Sequence, residues 1–227
     1  MLNIPTMPTL LVAAVPIDTN FSILDPRLML AIGSAELLIA EERKNAVRLL
    51  ASCGQANKPF ILINEHSTAG DRANALNMIL KNKITAFVSD AGTPCIADPD
   101  YVLVDMCIRH GVNIRAIAAS SSITAALSVS GYPASTFSFL GFPPRRVEDR
   151  DTFFNRLAGL RQTAVFLERP YALKRTLEDM KGFDRQISLS IALGKPNEQN
   201  IRALARDMLP QVARLKETFA VVVPAKL

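Results

Sequence analysis

An α/β fold follows from three features of this 227-residue sequence. Short β-rich apolar runs alternate with amphipathic windows of helical period along the whole chain, the order that builds sheets with helices packed on them. Residues 86–88 and 164–167 are apolar on both faces, as strands covered by helices on each side require. The composition, 49% hydrophobic and 21% charged, is that of a chain able to bury a sizeable core.

Taken in order, the runs rich in Val, Ile, Leu, Phe and Thr predict strands over 9–15, 37–40, 60–63, 85–89 and 112–117, then 136–140, 163–167, 187–193 and 218–223. Apolar residues at three- and four-residue spacing predict helices over 27–33, 42–53, 71–81, 99–110, 121–131, 149–160, 171–181 and 198–209. The fourth helix carries its own start signal: Asp98 placed to cap, Pro99 at the first helical position and Asp100 in the first turn. Five strands precede residues 117–120 and four follow. This predicts two α/β domains, 1–117 and 118–227, with a sheet in each. No solenoid period or low-complexity segment interrupts them.

Several classes of function drop away at this stage. No apolar run approaches the roughly 18 residues that cross a bilayer. The first basic residue is Arg27, so the charged start of a secretory or transit peptide is missing, and the expectation is a cytoplasmic protein. Cys53, Cys95 and Cys107 form no C-x-x-C pair. With two histidines there is no ligand spacing for zinc, no metal is expected, and the thiols read as reduced, small and buried. There is no G-x-G-x-x-G after the first strand, no G-x-x-x-x-G-K-[ST], no G-x-S-x-G and no H-E-x-x-H, which argues against NAD, ATP hydrolysis and zinc proteolysis.

Charge divides unevenly. Residues 1–140 hold 10 Lys and Arg against 11 Asp and Glu, whereas residues 141–227 hold 16 against 10. The basic character belongs to the second half. It suggests an anionic partner met by one side of the molecule, with RNA the first candidate and scattered solvated cations the alternative.

The most distinctive segment is Val88-Ser-Asp-Ala-Gly-Thr-Pro-Cys-Ile-Ala-Asp-Pro-Asp-Tyr101, between a buried strand and a helix. A loop leaving the carboxyl end of a strand opens into the ligand crevice of an α/β sheet, and Gly92 and Pro94 let its backbone approach a ligand closely. This segment resembles the V-S-D-A-G-T-P-x-I-x-D-P-G signature of the tetrapyrrole methylase superfamily, in its branch of small-subunit ribosomal RNA 2′-O-ribose methyltransferases. Further stretches match in order: Leu38-Ile-Ala-Glu-Glu-Arg43 with Arg48-Leu49-Leu50, Asn64-Glu-His-Ser67, Ser121 to Gly131, Phe139-Leu-Gly-Phe-Pro-Pro144 and Phe166-Leu-Glu-Arg-Pro-Tyr171. The resemblance runs from about residue 9 to residue 223, with a length nearer a shorter subgroup of the branch.

The resemblance implies two α/β domains with S-adenosylmethionine folded into the cleft between them, in a homodimer acting on ribosomal RNA or the small ribosomal subunit. Carried over by position, cofactor contacts fall on Val15, Pro16, Thr93, Ile96, Ser122, Ile123, Leu167, Ala192 and Leu193. Most are backbone contacts, as a neutral adenosine and a zwitterionic tail require. The sequence departs from the family pattern where P-x-P-I-G-N reads Ala14 to Thr19, where G-P-S reads Ala119-Ser120-Ser121, where D-P-G reads Asp98-Pro99-Asp100 and where a basic residue is replaced by Ala172.

Methyl transfer from a sulfonium asks for an in-line acceptor oxygen and a way to remove one proton. Candidate bases are Asp90, Glu65, His66 and Glu168, all placed near carboxyl ends of strands. His66 has the alternative of a loop residue bonded to its neighbours, Glu168 that of an ion-pair partner to Arg169 or Arg175. Arg145, Arg146, Arg150, Lys174 and Arg175 are the candidate phosphate contacts. Two other readings stay open: methylation of a tetrapyrrole ring carbon, and an RNA- or ribosome-binding relative that has lost turnover.

Overall fold

The computed structural model describes residues 7–97, 100–212 and 215–226. The chain divides into two units, Met1–Ser121 and Ser122–Leu227. Each unit is an α/β assembly around one five-stranded sheet.

In the first unit the strands are β1 (Thr9–Ala13), β2 (Leu37–Ala40), β3 (Phe60–Leu62), β4 (Ile84–Phe87) and β5 (Asn113–Ile117). They lie in the order β3-β2-β4-β1-β5, every pair parallel. The connecting helices are α1 (Pro26–Ser34), α2 (Arg43–Ser52), α3 (Ala69–Lys81) and α4 (Tyr101–Arg109). Side chains alternate across the pleat and both faces are apolar. Leu28, Ile32, Leu49 and Leu50 of α1 and α2 pack with Ala13, Leu38 and Ala86, whereas Leu76, Ile79, Leu103 and Cys107 of α3 and α4 pack with Leu10, Ile39 and Phe87. Parallel strands put all five carboxyl ends on one edge of the sheet, so the loops after β1, β2, β3, β4 and β5 gather there.

The second unit contains α5 (Ser122–Ser130), β6 (Phe137–Phe139), α6 (Val147–Ala158), β7 (Thr163–Glu168), α7 (Leu173–Asp179), β8 (Ile187–Ile191), β9 (Gln199–Ala203), α8 (Ala205–Val212) and β10 (Phe219–Val223). Its sheet runs β6-β7-β10-β8-β9, parallel only between β6 and β7. The side chains of α6, α7 and α8 cover one face around Phe154, Phe166 and Leu189, and α5 covers the other through Ile123, Ala126 and Leu127.

One predicted element is wrong. The helix expected over 198–209 is a strand followed by a helix: β9 pairs antiparallel with β8, Ile187 opposite Ala203 and Ile191 opposite Gln199, and α8 starts only at Ala205. The second sheet therefore has five strands rather than four. β9 is an exposed edge that needs only Ile201 and Ala203 facing the core, so its polar residues mimic the solvent face of a helix. Several ends also shift by about two residues, among them the strand predicted over 9–15, which ends at Ala13, and the helix predicted over 149–160, which spans Val147–Ala158. The strand predicted to 193 stops at Ile191 because Ala192 turns into the left-handed region at φ +54°. The fourth helix begins at Tyr101, with Asp100 at the cap position making no side-chain capping bond, while the Asp98 and Pro99 start signal lies outside the described residues.

Candidate functional site

The loops at the carboxyl edge of the first sheet are held together mainly by main-chain atoms. Val15 donates its N–H to the Gly92 carbonyl at 2.9 Å and accepts from the Gly92 N–H at 3.1 Å, so the loops after β1 and β4 form a one-rung antiparallel bridge. Gly92 makes this turn at φ +77°, where a Cβ would stand 3.5 Å from Ile17 Cγ2, and the constraint is the dihedral rather than the space. The Thr93 hydroxyl donates to the Ser120 carbonyl at 3.3 Å, tying in the loop after β5. The Asp90 N–H donates to Glu41 Oε2 at 3.0 Å, and Asn64 Nδ2 donates to the Glu41 carbonyl at 3.3 Å, joining the loops after β2, β3 and β4. Arg48 donates to the Thr19 carbonyl at 3.3 Å while stacking over Phe21.

Backbone strain collects in such loops. Among the described residues, the non-glycine positions with positive φ are Thr19 after β1, Cys95 and Ala97 after β4, and Ala192 after β8. A Cβ residue in the left-handed region costs of order 1–2 kcal/mol and persists where the surroundings over-determine it, often at ligand-binding turns.

The second unit is organised differently at its strand ends. Arg150 of α6 is almost wholly buried and spends its guanidinium inward: Nη1 donates to Glu168 Oε2 at 2.8 Å and to the Pro144 carbonyl at 3.3 Å, Nη2 to Thr176 Oγ1 at 2.7 Å, and Nε to Asp179. The other Glu168 oxygen accepts from the Arg169 N–H at 2.9 Å and from Arg169 Nη1 at 3.3 Å, and that Nη1 also reaches the Pro143 carbonyl at 3.2 Å. Arg169 lies over the Phe142 ring, 5.3 Å from its centroid. Arg175 Nη1 donates to the Arg145 carbonyl at 3.4 Å. Together these contacts fasten the loop after β6 to the loop after β7.

The family model described as Tetrapyrrole (Corrin/Porphyrin) Methylases matches residues 24–209. The chain belongs to this family. Ribosomal RNA small subunit methyltransferase I of Leptospira borgpetersenii serovar Hardjo-bovis is 32% identical to it over 90% of the chain and 83% of the relative. The protein of that name from Thermotoga maritima is 29% identical over 92% of the chain and 94% of the relative. Among solved structures the methylase fold is shared with a diphthine synthase at TM-score 0.75 and 13% identity, covering 95% of this chain and 89% of that one. A cobalt precorrin-4 methyltransferase follows at TM-score 0.65 and 12% identity, covering 94% of both. The expected family and fold class are thus borne out.

In this methylase the expected cofactor residues of the first unit lie in the bridged loops: Val15 buried, Pro16 partly buried, Thr93 and Ile96 exposed, the last at 44%. In the second unit Ser122 and Ile123 open α5, Leu167 is near the end of β7, and Ala192 and Leu193 form the turn after β8. That turn is pinned by the Ala192 N–H to the Thr218 carbonyl at 2.9 Å and by the Gly194 N–H to Glu198 Oε2 at 2.8 Å. Accepting this bond holds the Glu198 carboxyl below its usual range, helped by Asn200.

Two expected roles do not survive the geometry. Arg150 cannot meet phosphate, because its donors are consumed inside the unit. Glu168 is not placed to meet an acceptor hydroxyl, since its carboxylate is buried and both of its oxygens are occupied inside the unit, one by Arg150 and the other by Arg169. Of the remaining bases, Glu65 and His66 stand exposed beside each other, with Oε1 to Nε2 at 3.5 Å. The half-buried Asp90 is fixed through its backbone, and no described group engages its carboxylate. Arg145, Arg146, Lys174 and Arg175 are exposed.

Sequence reasoning names Arg169 only as the alternative ion-pair partner of Glu168, which it is at 3.3 Å, and passes over Glu41 as the residue that joins the loops. A signal for Arg150 is present. It falls on the buried stripe of α6 with Phe154 and Leu157, at i, i+4 and i+7, and a charged residue on such a stripe needs buried partners.

Proposed function

We propose that this methylase transfers the methyl group of S-adenosylmethionine to a ribose 2′-hydroxyl of small-subunit ribosomal RNA. The observation that carries the reading is the cationic rim of the second unit, Arg145 and Arg146 exposed on the loop after β6 and Lys174 and Arg175 exposed in the first turn of α7, in a chain whose relatives bear the name of a small-subunit RNA methyltransferase.

The cofactor is a proposal from the family, and the residues present suit it. A neutral adenosine and a zwitterionic tail need paired donors and acceptors. The bridged loops around Val15 and Gly92 supply main-chain groups held in place before any ligand arrives. When bound, S-adenosylmethionine supplies an already activated methyl group. By position in the family pattern, the residues we propose would contact it are Val15, Pro16, Thr93, Ile96, Ser122, Ile123, Leu167, Ala192 and Leu193. The protein's own work is then to align the acceptor oxygen and exclude water. Asp90 is the residue we assign to accept the 2′-hydroxyl proton, because no group among the described residues engages its carboxylate and its backbone is anchored by Glu41. The proposal includes a homodimer and a cytoplasmic location; light scattering that gives one 24.8 kDa species at micromolar concentration would refute the dimer.

The test is calorimetric titration with S-adenosylmethionine, followed by transfer of labelled methyl to small-subunit RNA and, separately, to a tetrapyrrole. Binding with label in RNA is the expected result. Label in the tetrapyrrole alone returns the ring-carbon reading, and RNA binding with no cofactor binding returns the non-enzymatic one.

A further inference from the structure

The rim of the second unit carries aromatic side chains as well as charge. Tyr171 is 83% exposed and Phe142 39%, in a chain whose other aromatic rings are mostly buried or partly buried. Both stand on the loops after β6 and β7, with Arg145, Arg146 and Arg169, and Lys174 and Arg175 follow in the first turn of α7. Arg146 and Lys174 have solvent-exposed acidic neighbours, Asp149 at 3.7 Å and Glu178 at 3.8 Å, whereas the Arg145 and Arg175 guanidiniums enter no ion pair among the described residues.

We infer that these two loops form a stacking platform for an unpaired base of single-stranded RNA, with Tyr171 and Phe142 offering ring faces and Arg169 a fixed cation. The inference rests on the RNA reading above and adds which form of RNA the site takes. An aromatic ring left in water at 83% exposure brings no folding stability, but it offers a face on which any base can stack once that base has left its helix. A duplex keeps its base faces covered and would meet only the cations.

The platform is set before ligand arrives. The Arg169 guanidinium lies against Phe142 and is tied by Nη1 to Glu168 and to the Pro143 carbonyl, which leaves Nε and Nη2 without a partner among the described residues and available to a phosphate oxygen. Glu168 is fixed in turn by the buried Arg150, which also holds the Pro144 carbonyl. Rigid loops lower the ordering cost of binding. For a 2′-hydroxyl oxygen to attack the methyl carbon in line its nucleotide must be held still, and stacking the base of that nucleotide or its neighbour does so without reading sequence.

The sequence contains no tryptophan, so Tyr171→Trp creates a sole indole reporter at an exposed position. The probes are a short single-stranded RNA oligonucleotide and the same strand annealed to its complement. Saturable quenching of the indole by the single strand and not by the duplex is expected. By anisotropy, Tyr171→Ala should weaken single-strand binding about tenfold, with the slope of log affinity against log salt unchanged, and Tyr171→Phe should bind within about twofold of the wild type. Binding without quenching, or equal losses for strand and duplex in Tyr171→Ala, overturns the platform while leaving the RNA reading standing. Phe142→Ala is the second arm, and a wild-type affinity there removes that ring from the proposal. A wild-type protein that neither binds nor labels RNA overturns the function reading and the platform with it.

Discussion

The strand-end loops of the first unit are held by bonds that each use at least one main-chain atom, those of the second largely by buried charge. After β1, β4 and β5 the fastening bonds run between main-chain atoms of Val15 and Gly92 and from the Thr93 hydroxyl to the Ser120 carbonyl. After β6 and β7 they run through Arg150, Glu168, Arg169 and Asp179. Main-chain bonds are indifferent to most side-chain replacements. The departures from the family pattern at Asp18, Thr19 and Ala119 therefore leave the first cluster intact. A side-chain network has no such tolerance, because each member removed strands a buried partner.

That contrast can be broken most forcefully at Arg150. Replacing it with Met leaves the Glu168 carboxylate buried with Arg169 as its one remaining cation among the described residues and the Thr176 hydroxyl at 3.3 Å, which should cost about 3–5 kcal/mol in a denaturant titration. Adding Glu168→Leu should recover much of that loss, because a buried pair replaced by apolar residues of similar size is often close to neutral. A loss below about 1 kcal/mol for Arg150→Met would mean that charge does not hold these loops.

On the backbone side, Gly92→Val forces a β-branched residue to φ +77°, a strain of order 1–2 kcal/mol that the loop relieves by moving. We expect a small fall in melting temperature and a loss of S-adenosylmethionine affinity of about tenfold or more. Unchanged affinity would remove this loop from the cofactor site. Arg145→Ala with Arg146→Ala is gentler still. It should leave stability alone and flatten the salt dependence of single-stranded RNA binding by about 1.4, at roughly 0.7 for each phosphate contact.

The smallest expected effect concerns Glu198, which accepts the Gly194 N–H in the turn after β8. Its carboxyl is held below the ordinary range, so its support for the turn is complete above that range and is lost as pH falls through the lowered value. Glu198→Gln should weaken cofactor binding slightly at neutral pH. The difference from wild type should close as acid protonates the native carboxyl, and a gap that persists would place the role of Glu198 elsewhere.

How much of this is legible in the sequence follows the same division. Strands such as β7 and β10 announce themselves because burial on both faces demands nearly unbroken apolar runs. β9 hides because an edge needs only Ile201 and Ala203 facing inward. The Val88–Asp100 loop is visible through its residue pattern, but the Val15–Gly92 bridge is not, since main-chain pairing between residues so far apart in the chain leaves no side-chain trace. Arg150 reads as a surface cation because Glu148, Asp149 and Asp151 surround it in sequence, although its place on the Phe154 and Leu157 stripe points inward.

Where the methyl group lands is the most direct test of the proposed reaction. Small-subunit RNA labelled from S-adenosylmethionine would be hydrolysed in alkali, which cuts a phosphodiester only when the neighbouring 2′-oxygen is free. Transfer to a ribose 2′-hydroxyl predicts label in alkali-resistant dinucleotides. Label in mononucleotides, as a methylated base would give, or no label in RNA, would contradict it.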